Sequence, residues 1–193
     1  MALHKKLTTT YWPRTMLPSL LFLLVLLCSC SVPGLDNQTT ADPSSGSPGV
    51  SGASAEEVQI ANAVFQAINQ ERAAHGIAAL QWYPALAQSV RQHDVAMDHA
   101  GTLSHQLAGE AAPGDRETQQ GVAWTWAGEN IGETPDLSLN GAMELHQLMM
   151  AEKPPEDGHR RNILDGNFNV LGVAVLLDQP HGVLWLTEDF AHV

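Results

Sequence analysis

Four side chains of this 193-residue chain carry groups suited to acid–base or metal chemistry: His105, Glu129, Glu152 and His159. Two neutral imidazoles with carboxylate form a donor set that zinc accepts, with a coordination position left open for water. The same groups can instead move protons, because an imidazole titrates near neutrality. Spacing alone does not show that the four meet, since they run from position 105 to position 159. No nucleophile-elbow serine, phosphate-binding glycine loop, dinucleotide fingerprint or HExxH is present. Cys28 and Cys30 are the only cysteines, so nothing beyond them offers a thiol nucleophile, a thiolate ligand or a disulfide.

The elements that must position these groups are legible. Residues 152–165 read EKPPEDGHRRNILD. Pro154 and Pro155 end the preceding helix, because proline lacks an N–H and clashes with the turn before it. Gly158 permits backbone angles that a Cβ forbids, so His159 is expected on a constrained loop anchored by Ile163 and Leu164. Arg160, Arg161 and Asn162 are read as scaffold that pairs with acids and holds that loop. Glycines flank Glu129 and Asn130 in residues 127–132, which predicts a tight backbone path presenting Glu129. His105 follows Leu103-Ser104 on a loop.

Ser54 and Glu57 form a capping box that opens a first helix. Val58, Ala61, Phe65 and Ile68 give it one apolar stripe, and His75-Gly76 supplies its stop. Pro84 begins a second helix at a favoured early position, with Leu86, Val90 and Met97 on its buried face and Gly101 at its end. Asp94 and Asp98 share a face of that helix, which hints at a cation but reads better as a solvated acidic face; His93 reads as a packed or hydrogen-bonded residue. A short helix is expected near Arg116, a short strand over 121–126, and a third long helix over 139–152 with Ala142, Leu145 and Met149 inward. Residues 169–177 form a near-continuous apolar run, as in a strand covered on both faces. A turn at 179–182 precedes a returning antiparallel strand over 183–190, and His181 at its tip reads as simply exposed.

Before this lies an address. Lys5, Lys6 and Arg14 precede an apolar run over 16–27, too short to span a bilayer comfortably. Residues 1–30 are read as a leader. Leu27-Cys28-Ser29-Cys30 resembles a bacterial lipobox, which makes Cys30 the lipid acceptor and the membrane a partner through an acyl anchor; the alternative is plain secretion. Residues 31–53 are rich in Ser, Pro, Gly and Thr and are read as a flexible tether of roughly 25 Å. Residues 54–193 have one domain's length. Three of the nine Lys and Arg lie in the leader and none of the 21 Asp and Glu do, so leader removal takes the net charge from −12 to −15. That field argues against nucleic acid as a partner and suits cations or neutral ligands.

One resemblance covers essentially all of residues 54–193. Its pieces, in order, are Ile68-Asn69-Gln70-Glu71-Arg72, Leu103-Ser104-His105, Gly128-Glu129-Asn130-Ile131, Gly158-His159-Arg160-Arg161-Asn162-Ile163-Leu164, Val170-Leu171-Gly172-Val173-Ala174 and Trp185-Leu186-Thr187-Glu188-Asp189-Phe190. Together they resemble the CAP superfamily of cysteine-rich secretory, antigen 5 and pathogenesis-related proteins, in its bacterial branch. The resemblance implies an α+β fold, a three-layer α-β-α sandwich around a small antiparallel sheet. It also implies a cleft with two histidines and two acids, here His105, His159, Glu129 and, where Met149 replaces a family tryptophan, Glu152. Asn130 would support the site. Binding of zinc or another divalent metal, or of a small apolar or lipid ligand, is the favoured expectation. A metal-dependent hydrolase using Glu129 and His159, or a structural surface protein, are the alternatives.

Overall fold

Residues 6–13 and 50–193 are those that the computed structural model describes, and they belong to one unit. The leader's apolar run, Cys30 and the tether up to residue 49 lie outside the described residues. The strands are β1 (Lys6–Pro13), β2 (Gln81–Trp82), β3 (Trp126–Thr134), β4 (Val170–Asp178) and β5 (Val183–His192). The helices are α1 (Ala55–Ala74), α2 (Pro84–Ala100), α3 (Pro113–Gln119), α4 (Leu139–Ala151) and α5 (Gly158–Leu164).

Local chemistry sets several boundaries as expected. Ser54 accepts from the Glu57 backbone while the Glu57 side chain returns to Ser54, so both halves of the capping box form. Helix α1 ends at His75, and Gly76 follows with φ of +70°. Helix α2 starts with Pro84 and stops at Gly101, which is left-handed. The β4–β5 hairpin turns through Gly182, at φ +69°.

The sheet runs β1-β3-β5-β4-β2, antiparallel except for the short parallel pairing of β2 with β4. Helices α1, α4 and α5 pack together on one face, and α2 with α3 on the other, giving the α-β-α sandwich. The larger core lies under α1, α4 and α5 and joins Ile60, Val64, Ile68, Leu145, Met149 and Ile163 to Leu171, Val173, Leu186 and Phe190. Each such apolar side chain contributes about 1.5–3 kcal/mol by leaving water. Arg72 is fully buried and donates to the carbonyls of Ala78, Ile163 and Asp165 at 2.8–2.9 Å, which ties the end of α5 to α1. Among the described side chains, the buried apolar ones lie between Ile60 and Ala191, and Leu7 of β1 packs at their margin. That buried core is therefore supplied from within residues 50–193.

Four local expectations are corrected. The strand expected over 121–126 instead begins at Trp126 and runs to Thr134, so Glu129 sits mid-strand rather than on a turn. Its flanking glycines answer crowding: a Cβ on Gly128 would lie 3.0 Å from the Asn162 amide and 3.1 Å from Phe168. Gly158 begins helix α5, and its special need is likewise space, because a Cβ there would run into the Thr9 methyl. Asp94 is not solvated; it is fully buried and accepts from the Thr187 hydroxyl at 2.5 Å. Finally, residues 6–13 form an edge strand, which their basic and threonine-rich composition did not announce.

Candidate functional site: two histidine–carboxylate pairs at a sheet edge

Side chains alternate across β3. Ala127, Glu129 and Ile131 face α2 and α3, whereas Gly128, Asn130 and Gly132 face α4 and α5. The candidate residues are therefore divided between the two faces. His105 and Glu129 meet on the α2/α3 side. His159 and Glu152 meet on the other, at the junction of α4 and α5. Edge strand β1 touches both neighbourhoods, with Thr8 toward the first and Thr9 toward the second.

In the first pair, His105 Nδ1 lies 2.7 Å from Glu129 Oε1. The other Glu129 oxygen accepts a short hydrogen bond from Arg116, whose second guanidinium nitrogen donates to the His105 carbonyl at 2.8 Å. Burial, and next the Arg116 charge, hold the His105 pKa down at about 4, so its imidazole is neutral at pH 7. A neutral ring donating from Nδ1 to Glu129 leaves Nε2 as an acceptor, and the Thr8 hydroxyl lies 2.7 Å from it. Burial raises Glu129 to about 7 against the pull of Arg116.

Behind Glu129 stands an acid cluster. The β3–β5 register places Asp189 directly beside it. Glu117 is fully buried with no hydrogen-bond partner on either oxygen, and burial followed by Asp189 and Glu129 raises it to about 10. Glu117 persists inside because it holds its proton. His93, also buried, reaches Glu110 at 2.8 Å, as its reading as a hydrogen-bonded helix residue anticipated.

In the second pair, His159 Nδ1 lies 2.5 Å from Glu152 Oε1. The other Glu152 oxygen accepts from the backbone N–H of His159 at 3.0 Å and of Arg160 at 3.4 Å. Glu152 caps the end of α4, so the chain returning through Pro154-Pro155 closes onto it. His159 Nε2 is buried and has no hydrogen-bond partner. Asn130 donates to the His159 carbonyl at 3.3 Å and to Glu188 at 3.0 Å, and Asn162 donates to Asn130 at 2.9 Å. Asn130 and Asn162 thus hold the site from below. Arg161 pairs with Asp157 at 3.0 Å on the surface, and Arg160 extends to His75 rather than to an acid. A cavity of about 410 Å³ adjoins this side, lined by Thr9, Thr10, Gly158, Arg161, Asn162 and Asp165.

Among the described residues, the group of three donors with ligand atoms within 4.8 Å of one another lies elsewhere: Asp98, Asp178 and His181 at the β4–β5 turn. His181 reaches Asp178 at 2.5 Å, and Asp98 accepts from the Trp185 indole at 3.0 Å. The sequence reading paired Asp98 with Asp94, but the helix sends one under the sheet and the other to its rim. That reading also passed over Arg116, Glu117, Glu188 and Asp189 as site residues. The available signal was two consecutive acids, Glu188-Asp189, inside an otherwise apolar strand.

The family model described as "CAP: Cysteine-rich secretory protein family" matches residues 65–190. This chain belongs to the CAP family. The chain is 30% identical over 157 residues to the uncharacterized protein YkwD of Bacillus subtilis, covering 80% of this chain and 51% of that one. An extracellular protein containing an SCP domain from Bacillus anthracis superposes with a TM-score of 0.60 at 26% identity, over 71% of this chain and 41% of that one. An outer surface protein from Borrelia burgdorferi shares the fold at 13% identity and a TM-score of 0.60, over 69% of this chain and 92% of its own. The chain thus spans about half the length of the curated relative it matches. No described helix is long and apolar enough to cross a membrane.

Proposed function

We propose that this CAP domain is an exported binding module whose two histidine–carboxylate pairs take up a divalent cation, zinc being the best match to imidazole donors. The observation that carries the reading is that both pairs engage the imidazole through the same ring nitrogen. Each histidine has Nδ1 against a carboxylate, leaving Nε2 as the donor atom, and His159 Nε2 is buried without a partner. Carboxylates that orient ligating imidazoles in this way raise ligand basicity. Glu129 and Glu152 would then support the donors rather than contact the cation. When bound, a cation supplies a positive centre that draws a ligand's oxygen or nitrogen into the cleft.

Binding is favoured over hydrolysis because Glu129 has both oxygens engaged, by His105 and Arg116, which suits it to orient the imidazole rather than to face a water. Export through the residue 1–30 leader, with Cys30 lipidated, accords with the extracellular and outer-surface descriptions of the structural neighbours. The test is zinc calorimetry on residues 50–193 in a His181→Ala background, which removes the competing donors at the β4–β5 turn. One-to-one binding that His105→Ala and His159→Ala each weaken by more than about tenfold is expected. Binding indifferent to both substitutions would overturn the reading.

A further inference from the structure

We propose that the outer edge of β3 is a strand-accepting groove for an extended peptide carrying small hydroxyl residues, and that residues 6–13 occupy it in the unprocessed chain. The seat is built on both faces of the sheet. Strand β1 pairs antiparallel with β3 from Lys6 opposite Glu133 to Pro13 opposite Trp126. On the α2/α3 side the Thr8 hydroxyl meets His105 Nε2 at 2.7 Å. On the opposite side the Thr9 hydroxyl donates to Asn130 at 3.0 Å and accepts from Asn162 at 2.9 Å. A strand alternates its side chains, so consecutive hydroxyls can satisfy both faces at once.

The fit is steric as well as polar. A Cβ on Gly158 would run into the Thr9 methyl, and one on Gly132 would lie 2.8 Å from Leu7. For Gly158, the three heavy atoms nearest that position all belong to Thr9. Its missing side chain therefore makes room for the strand. Main-chain pairing supplies the affinity in such strand addition, and pockets for alternate side chains supply the choice of sequence.

Leader removal at Cys30 would take β1 away and leave nine residues of β3 with an unpaired edge. That edge carries charge at Glu129 and Glu133 but neither lysine nor proline, two residues that commonly blunt an exposed strand. An edge left receptive in this way, between two histidines, is suited to capture an extended segment of another polypeptide. The inference does not rest on the cation reading, and its assay is run in EDTA.

The experiment titrates residues 50–193 into a fluorescein-labelled peptide of sequence KLTTTYWP, followed by anisotropy, with amide exchange mapped on the complex. Saturable binding with protection concentrated in β3 is expected. Thr9→Val in the peptide should weaken it about tenfold, as should Gly158→Ala in the protein, with the thermal midpoint of the protein unchanged. No saturation at millimolar peptide, or binding equal for Gly158→Ala and wild type, would overturn the proposal. A second measurement uses the full-length chain, where Gly158→Ala should speed exchange in β3 while the β4–β5 hairpin stays protected. Unchanged exchange in β3 would also overturn it.

Discussion

Glu129 and Glu152 each hold the Nδ1 of a histidine, but what holds the two carboxylates differs. Glu129 is fully buried mid-strand, and its counter-charge is Arg116, a side chain from another element. Glu152 sits at a helix end and is held by backbone N–H groups of the first turn of α5. The first arrangement depends on one long-range cation in a nest of acids. The second is local, with Glu152 and His159 only seven positions apart in the chain. A charge held by a single side chain is more exposed to mutation than one held by backbone N–H groups, which only a proline substitution removes.

The largest effect should therefore come from Arg116→Met. Left facing Glu117 and Asp189 without a cation, the Glu129 site should lose about 3–5 kcal/mol of unfolding free energy, as when one partner of a buried ion pair is removed. Urea unfolding at pH 7 measures this. A loss no greater than that of Glu152→Gln would break the contrast.

The next effect concerns pH. Glu117 is raised from 4.5 to about 10 and Glu129 to about 7, so the folded state keeps protons that the unfolded chain releases. Their stabilising contribution is complete below pH 4.5 and is lost as pH rises through the folded values. Each such group lowers stability by about 1.4 kcal/mol per pH unit inside its window. His93 and His105, lowered to about 4, act in the opposite sense, and their contribution disappears as pH falls from 6.5 toward 4. Between pH 7 and 9 neither histidine contributes to the slope, and of these two glutamates Glu117 still does. Glu117→Gln should flatten the decline there, in thermal midpoints taken across that range.

The smallest effect is Glu152→Gln itself. The amide keeps an acceptor for the α5 backbone and loses only the charge assistance, so about 1 kcal/mol is expected in the same urea series. A loss several times larger would show that the second pair is also charge-dependent, and the contrast between the pairs would disappear.

Much of the architecture needed only local chemistry. The Ser54–Glu57 box, Pro84, Gly101 and Gly182 act within a few residues of themselves, so α1, α2 and the β4–β5 hairpin could be read from neighbours alone. The site histidines and their two acids could be named as well, through residue types and family motifs. Their pairing could not. Whether Glu129 meets His105 or His159 depends on which face of β3 its side chain takes, and a one-residue change of register would turn it to the other face. Glycines misled for a related reason. Gly128 and Gly158 read as turn formers, because sequence shows the freedom of a missing Cβ but not the neighbour that needs its space.

By itself the sequence determined the ends of α1 and α2, the apolar stripes, the acidic balance and the roster of groups able to donate to a cation. The tertiary structure decided that Arg116 neutralises Glu129, that Asp94 and Asp98 part company, and that Thr8 and Thr9 lie along the edge of β3. The physical reason is range. Capping and periodicity act over one or two helical turns, whereas these contacts join residues far apart in the chain and exist only once the sheet has set its register.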